Sequence, residues 1–320
     1  MKLARTSVLL FSLSMAASCS EAQFAVSSPS CVGAGCEVED PAGKGMRDGG
    51  PPPEAPVVPA RELLLGKYAI RAQFYGHERA TQGVLTHEIL LLGEIVHDAE
   101  RDVLQLDHQV CADRGEVIYA QGPTVSARAL YPERLPRRRL DVIHDDTSFH
   151  TEGPPVLFGY EAAPPAACRP GRQIPRPEPV PWGGATCTCP LSDVPPTSAS
   201  DCRVVDADGD GEPGFTVQVS GPVQANTSLR LKDMTQIARG KIDSRRRHTG
   251  DFVRAAEEGY LACPDSSCRG TSLSLCPEGL NPVEFAPLDE DKSWTCSDII
   301  REIEAGRLLP VRGLAFPPGC

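Results

Sequence analysis

Three aspartates stand at alternate positions in the stretch Asp206-Ala207-Asp208-Gly209-Asp210-Gly211-Glu212-Pro213-Gly214-Phe215. Oxygen donors spaced in this way can wrap one hard cation, and the glycines let the backbone turn where a side chain would clash. Ca2+ suits such a loop better than Mg2+, which demands a tighter octahedron. Only three of the loop's carboxylates, those of the aspartates, read as side-chain ligands, so the expectation is a weak structural site, weighed against a merely solvated acidic turn. Four histidines, His77, His87, His97 and His108, recur at near-even spacing. His87 and His97 share parity at the two ends of one extended stretch, too far apart to ligate one metal, so the four read as turn and surface residues. The triplets Arg137-Arg138-Arg139 and Arg245-Arg246-Arg247 could grip phosphates of a glycolipid or polyanion, but solvated turns beside strands are the simpler reading. A search for a nucleophile on a tight turn, a zinc-protease helix or a phosphate-cradling glycine loop finds none, and His144-Asp145-Asp146 offers no more than any chain of this size would.

The acidic stretch resembles the DxDxDG calcium loops of EF-hands, dockerins, thrombospondin type 3 repeats and integrin-type FG-GAP repeats. The resemblance assigns Asp206, Asp208 and Asp210 as side-chain ligands and puts the Glu212 carbonyl at the backbone-ligand position. It departs from the EF-hand at Val217, where a bidentate Glu would stand, and at Cys202-Arg203-Val204-Val205, which replaces the entering helix. The stretch therefore reads as a loop before a strand, as in the FG-GAP type, although that type commonly carries an Asp where Gly214 lies.

The N-terminus supplies an address. Lys2 and Arg5 precede an apolar run from Val8 to Ala17, the order of a secretory signal, and the run is about half the roughly 20 residues needed to span a bilayer. Ala16-Ala17-Ser18-Cys19 resembles the bacterial lipobox, which implies lipidation of Cys19; Ala16 departs from the usual branched residue, and ordinary cleavage near Ala22 is the alternative. Ser20 after the cysteine implies, by the same resemblance, an outer-membrane lipoprotein held to the membrane by its lipid.

Thirteen cysteines fit an oxidising compartment outside the cytoplasm. With Cys19 spent, Cys31, Cys36, Cys111, Cys168, Cys187, Cys189, Cys202, Cys263, Cys268, Cys276, Cys296 and Cys320 remain as an even set of disulfide candidates whose connectivity is open. Cys187 and Cys189 are too close to pair comfortably with each other, and no Cys-x-x-Cys argues for zinc. A net charge of -11 with scattered Lys and Arg excludes a nucleic-acid partner, and 5% aromatics weaken a sugar-stacking surface.

The elements that must position these groups are mostly strands. After the signal (1–19), residues 20–60 are a Ser/Gly/Pro-rich tether with a reach on the order of 35 Å. In the β domain, 61–262, Tyr68, Ile70, Ala72 and Phe74 alternate with Lys67, Ala69, Arg71 and Gln73, which predicts a strand with one buried and one wet face. Further strands are expected at 84–97, 103–111, 117–119, 125–130, 140–143, 156–160, 215–220, 228–233, 236–242 and 249–255, with turns at 97–102 and at Asp113-Arg114-Gly115. Prolines and cysteines at 162–202 read as an excursion pinned by disulfides. The final segment, 263–320, reads as a Cys-rich appendix with one helix, capped by Ser297, with Ile299, Ile300 and Ile303 on one face and Gly306 as its stop.

The fold expectation is mainly β, an antiparallel β-barrel or β-sandwich of lipocalin-like layout, with a disulfide-tied C-terminal segment containing a short helix. The layout is similar to that of uncharacterised secreted bacterial lipoproteins, which implies no activity. The functional expectation is an exported, lipid-anchored, non-catalytic binding protein of the cell envelope that holds a small apolar ligand and a structural Ca2+. The alternatives are a structural or adhesive surface lipoprotein that contacts an envelope partner and, less favoured, an exported hydrolase.

Overall fold

A computed structural model describes residues 10–12, 58–78, 83–119, 122–178, 180–222, 224–262, 270–277, 279–310, 316–317 and 320. Cys19, residues 20–57 of the expected tether, which include Cys31 and Cys36, and Cys263 and Cys268 lie outside the described residues, while Ala60 already opens a short helix, Ala60–Leu64. Among the described residues no helix is long and apolar enough to cross a membrane.

The strands that matter here are β1 (Gly66–Glu78), β2 (Val84–Asp98), β3 (Val103–Ile118), β4 (Val125–Ala129), β5 (Arg138–His144), β6 (Ser148–Glu152), β7 (Phe215–Ser220), β8 (Ala225–Asp233), β9 (Gln236–Lys241), β10 (Thr249–Val253), β11 (Ala256–Ala262) and β12 (Pro282–Pro287). Eight of them close an antiparallel barrel in the order β1-β2-β3-β5-β6-β9-β10-β12 and back to β1. Closure leaves no unpaired edge around the ring. Beyond the barrel, the far end of β3 pairs with β4, and the sheet runs on through β7 and β8 to β11.

A register shift makes this double use of β3 possible. Leu90 pairs with Ala112 and Leu91 with Val110, so Cys111 is an extra residue. An extra residue reverses which parity faces inward. Leu104 and Leu106 therefore face the barrel, while Asp113, Gly115 and Val117 face the interior of the second sheet. The turn expected at Asp113-Arg114-Gly115 is instead the middle of β3, because the polar residues there find partners across the ladder.

The barrel interior is filled by Tyr68, Ile70, Phe74, Ile95, Phe149, Phe252 and Phe285, with Tyr68 and Phe285 packed edge to face at 5.6 Å. The lumen a lipocalin-like binder would use is thus occupied by side chains. A second core forms from Val125, Phe158, Phe215, Val217, Val219 and Leu229.

The face of β1 expected to be wet is covered. Ala69 packs in the layer that contains Ile299 and Ile303, and Arg71 is buried against Glu284 and the Pro310 carbonyl. The covering helix, Cys296–Glu304, is capped by Thr295 and not by Ser297: Thr295 Oγ1 accepts from the Asp298 N–H, and Asp298 accepts from the Thr295 N–H. Cys111–Cys296 ties the helix to β3, and Cys276–Cys320 holds the C-terminus. The proline-rich excursion is braced by Cys168–Cys189 and Cys187–Cys202.

Candidate functional site

The acidic loop is built as a closed bay ahead of β7. Gly214 donates to Val205 O at 2.8 Å and Ala207 to Gly214 O at 2.7 Å, which pins both ends. Gly209, Gly211 and Gly214 adopt φ of 68°, 89° and 86°. At Gly214 a Cβ would also meet Leu229 O at 2.1 Å, so both conformation and space require glycine. Asp206 accepts the Gly209 and Asp210 N–H groups on Oδ1 and the Gly211 N–H on Oδ2, so its carboxylate organises the turn.

Asp208 is 1% exposed, its Oδ2 accepts the Thr216 N–H at 2.8 Å, and its Oδ1 is buried with no hydrogen-bond partner. Carboxylate oxygens of Asp206, Asp208 and Asp210 lie within 4.8 Å of one another. Carboxylate oxygens this close could share one metal ion. Burial, opposed by the Thr216 N–H and reinforced by Asp210 and Asp206, pushes the Asp208 carboxyl up to about 6. Glu212 is outside the carboxylate group; its N–H donates to Asp210 Oδ1 at 2.8 Å. Cys168, Cys189 and Cys202 also lie close together, but their sulfurs are used in disulfides.

A second constellation lies inside the sheet extension. His87 and Asp113, on neighbouring strands, are joined through Nε2 and Oδ1, and Arg254 Nη1 meets His87 Nδ1. Arginine only donates, so Nδ1 accepts and Nε2 carries the proton that Asp113 receives. Arg254 Nη2 also donates to Glu258 Oε1 at 2.7 Å. Burial, offset in part by Asp113, holds His87 below its usual range. Asp113 is pulled down against its own burial by His87 and Arg254. Burial pushes Glu258 up to about 7, even with Arg254 beside it. The group borders a cavity of about 50 Å3 whose other walls include Phe215, Val217, Leu229 and Leu231. A water needs roughly 10–15 Å3 on such a measure, so the space fits a few waters and no lipid.

No protein family, curated protein or solved structure matches this chain. Function must therefore be argued from the sites themselves. The remaining histidines have separate surroundings: His77 meets Cys320 O, His97 meets Asp102, and His108 lies buried beside Arg138. Five of the six triplet side chains are engaged within the protein, and Arg245 is held through its backbone N–H to Asp243. Arg137 and Arg139 meet Asp107, Arg138 meets Asp233, Arg246 meets Glu290, and Arg247 donates to Leu308 O. The sequence reading did not find the His87–Asp113–Arg254–Glu258 group. The signal available was charged residues at inward-facing parity, and the Cys111 bulge disguised it for Asp113.

Proposed function

We propose that this chain is an exported, lipid-anchored, non-catalytic binding protein of the cell envelope whose sheet extension is held in shape by one divalent cation, Ca2+ by preference. The observation that carries the cation is Asp208 Oδ1, an anionic oxygen buried without a partner between two further carboxylates. An unpaired buried carboxylate is costly, and a cation on the open oxygen relieves that cost. The loop also sets the start of β7 through Thr216, so an occupied loop would fix the strand that follows. Oxidised cysteines and the lipobox-like Cys19 support export and anchoring. A hydrolase would need a base open to substrate, whereas His87 has Asp113 on one ring nitrogen and Arg254 on the other.

The test is thermal unfolding and calorimetry of the oxidised protein with Ca2+, Mg2+ or chelator. Ca2+ at about 100 times its Kd is expected to add roughly 2.7 kcal/mol, read as a rise of several degrees in Tm that chelator reverses. Asp208→Asn keeps an acceptor for Thr216 and removes the buried charge, so this variant is expected to lose the Ca2+ response without losing stability in chelator. A parent protein with neither heat of binding nor a Tm shift would sink the cation reading. Mass spectrometry of the native N-terminus tests the anchor: diacylated Cys19 is expected, and a free terminus near Ala22 would count against it.

A further inference from the structure

The outward face of the sheet extension carries two polar rows that cross four strands. The first is Glu88–Arg114–Arg128–Gln218, each residue directly opposite the next on β2, β3, β4 and β7. The second, one pleat away, is Thr86–Glu116–Ser126–Ser220 on the same strands. All eight line a groove of about 550 Å3, within the size range of small-molecule sites.

The charges in the groove are unevenly satisfied. Arg114 is neutralised by Glu88 at 2.7 Å and by Glu304 at 3.1 Å. Among the described residues Arg128 is gripped only by a neutral group: its Nε and Nη2 donate to Gln218 Oε1 at 3.1 and 2.9 Å, which fixes the fork without cancelling its charge. A second arginine stands directly opposite it, at Arg114, an arrangement that favours an anion between the strands. Glu116, in the neighbouring row, has no ion pair or hydrogen bond among the described residues. Thr86 is 2% exposed, and its hydroxyl is buried with no partner. Gly115 and Ala127 also line the groove and contribute almost no side chain to its floor.

We infer that this groove binds a small zwitterion of the amino-acid or short-peptide class, its carboxylate on Arg128 and its ammonium on Glu116. A planar guanidinium held open by an amide is the geometry that receives a carboxylate in two parallel hydrogen bonds. Rows one pleat apart on a strand are separated by about 6.6 Å, and Arg128 and Glu116 sit diagonally across adjacent strands, so both heads of one small molecule can be met together. The hydroxyls of Ser126 and Ser220 suit its amide or carbonyl groups, and the lack of aromatic residues in the rows disfavours a sugar ring. The inference rests on the binding-module reading above and gives it a ligand class.

The experiment is amide NMR of the full oxidised chain with Ca2+ present, titrated with a pool of the twenty proteinogenic amino acids and with L-alanyl-L-alanine, each to roughly 10 mM, where a millimolar site is nearly filled. Shifts are expected at Gly115, Glu116, Ser126, Ala127 and Arg128. N-acetylation and C-amidation of the strongest ligand, and the substitutions Arg128→Gln and Glu116→Gln, are each expected to weaken binding by about tenfold or more with Tm unchanged. Shifts that survive both blocking groups and both substitutions overturn the zwitterion while leaving a binding module. An unshifted spectrum at these amides also overturns it, and the cation reading still stands or falls on its own titration.

Discussion

Glu258 takes a hydrogen bond from Arg254 inside a buried group that also contains Asp113, so its protonation sets the net charge of the cluster. Protonated, it leaves Asp113 and Arg254 balanced; ionised, it leaves one uncompensated negative charge. Burial raises its pKa in the fold to about 7. A raised pKa contributes stability that is fully present below the ordinary value near 4.3 and is lost as pH rises through about 7. By pH 8 that loss is roughly 3 kcal/mol. Glu258→Gln keeps an acceptor for Arg254 and cannot ionise. The variant is therefore expected to match the parent near pH 5 and to exceed it near pH 8, read from urea midpoints at both values. Parallel pH curves for the two proteins would show that Glu258 is not the titrating group. At this scale the acidic loop was legible because its donors are contiguous in sequence. The buried cluster was not, because His87 and Arg254 are 167 positions apart and only the closed topology brings them together.

Among the elements, β3 carries the most information per residue. Its alternation breaks at Cys111, the bulge residue, and the same side chain is crosslinked to the first residue of the covering helix. The bridge spans 185 positions, and closing so long a loop restricts the unfolded chain strongly. Replacing Cys111 and Cys296 together by Ala is expected to cost roughly 2–4 kcal/mol in urea unfolding. Hydrogen exchange should rise first in 296–304, where the packing of Ile299 and Ile303 and the Arg114–Glu304 ion pair would be left to hold the helix on the barrel. An unchanged midpoint would mean that these contacts suffice. Period-two alternation revealed β1, β2 and the first half of β3, because hydrophobic side chains mark one face there. Alternation missed β6, whose Ser148-Phe149-His150-Thr151-Glu152 has one large apolar residue, and β12, which is framed by Pro282 and Pro287. Those two strands are recognisable through their neighbours: Phe149 lies over Gly240 on β9, and Phe285 fills the barrel.

For the molecule as a whole, closure of the barrel brings in a strand from the C-terminal segment and traps histidines that must stay neutral. His248 is 0% exposed; its Nδ1 accepts the Asp243 N–H at 3.1 Å and its Nε2 lies 3.2 Å from Leu63 O, which assigns one proton to Nε2. A second proton would have to enter at Nδ1, against an N–H that already points there. Burial lowers His248 to about 4, and burial together with Arg138 does the same to His108. A lowered histidine pKa contributes stability that is complete above the ordinary value near 6.5 and is lost as pH falls through about 4. Each of the two contributes a loss of roughly 3 kcal/mol over that range, a large share of the about 5–15 kcal/mol that folded domains possess. Glu258 and Asp208 act in the opposite direction, since both are raised and both favour the fold as pH falls. The balance decides the profile: the carboxyls go on gaining until pH falls past their ordinary values near 4, so over most of this range their two gains offset the two histidine losses. Removing one of the losing groups shifts this balance, so His108→Gln is expected to move the midpoint of acid unfolding lower and to reduce the proton uptake measured with it. An acid midpoint that His108→Gln leaves in place would mean that this trapped imidazole does not set the acid limit of the barrel.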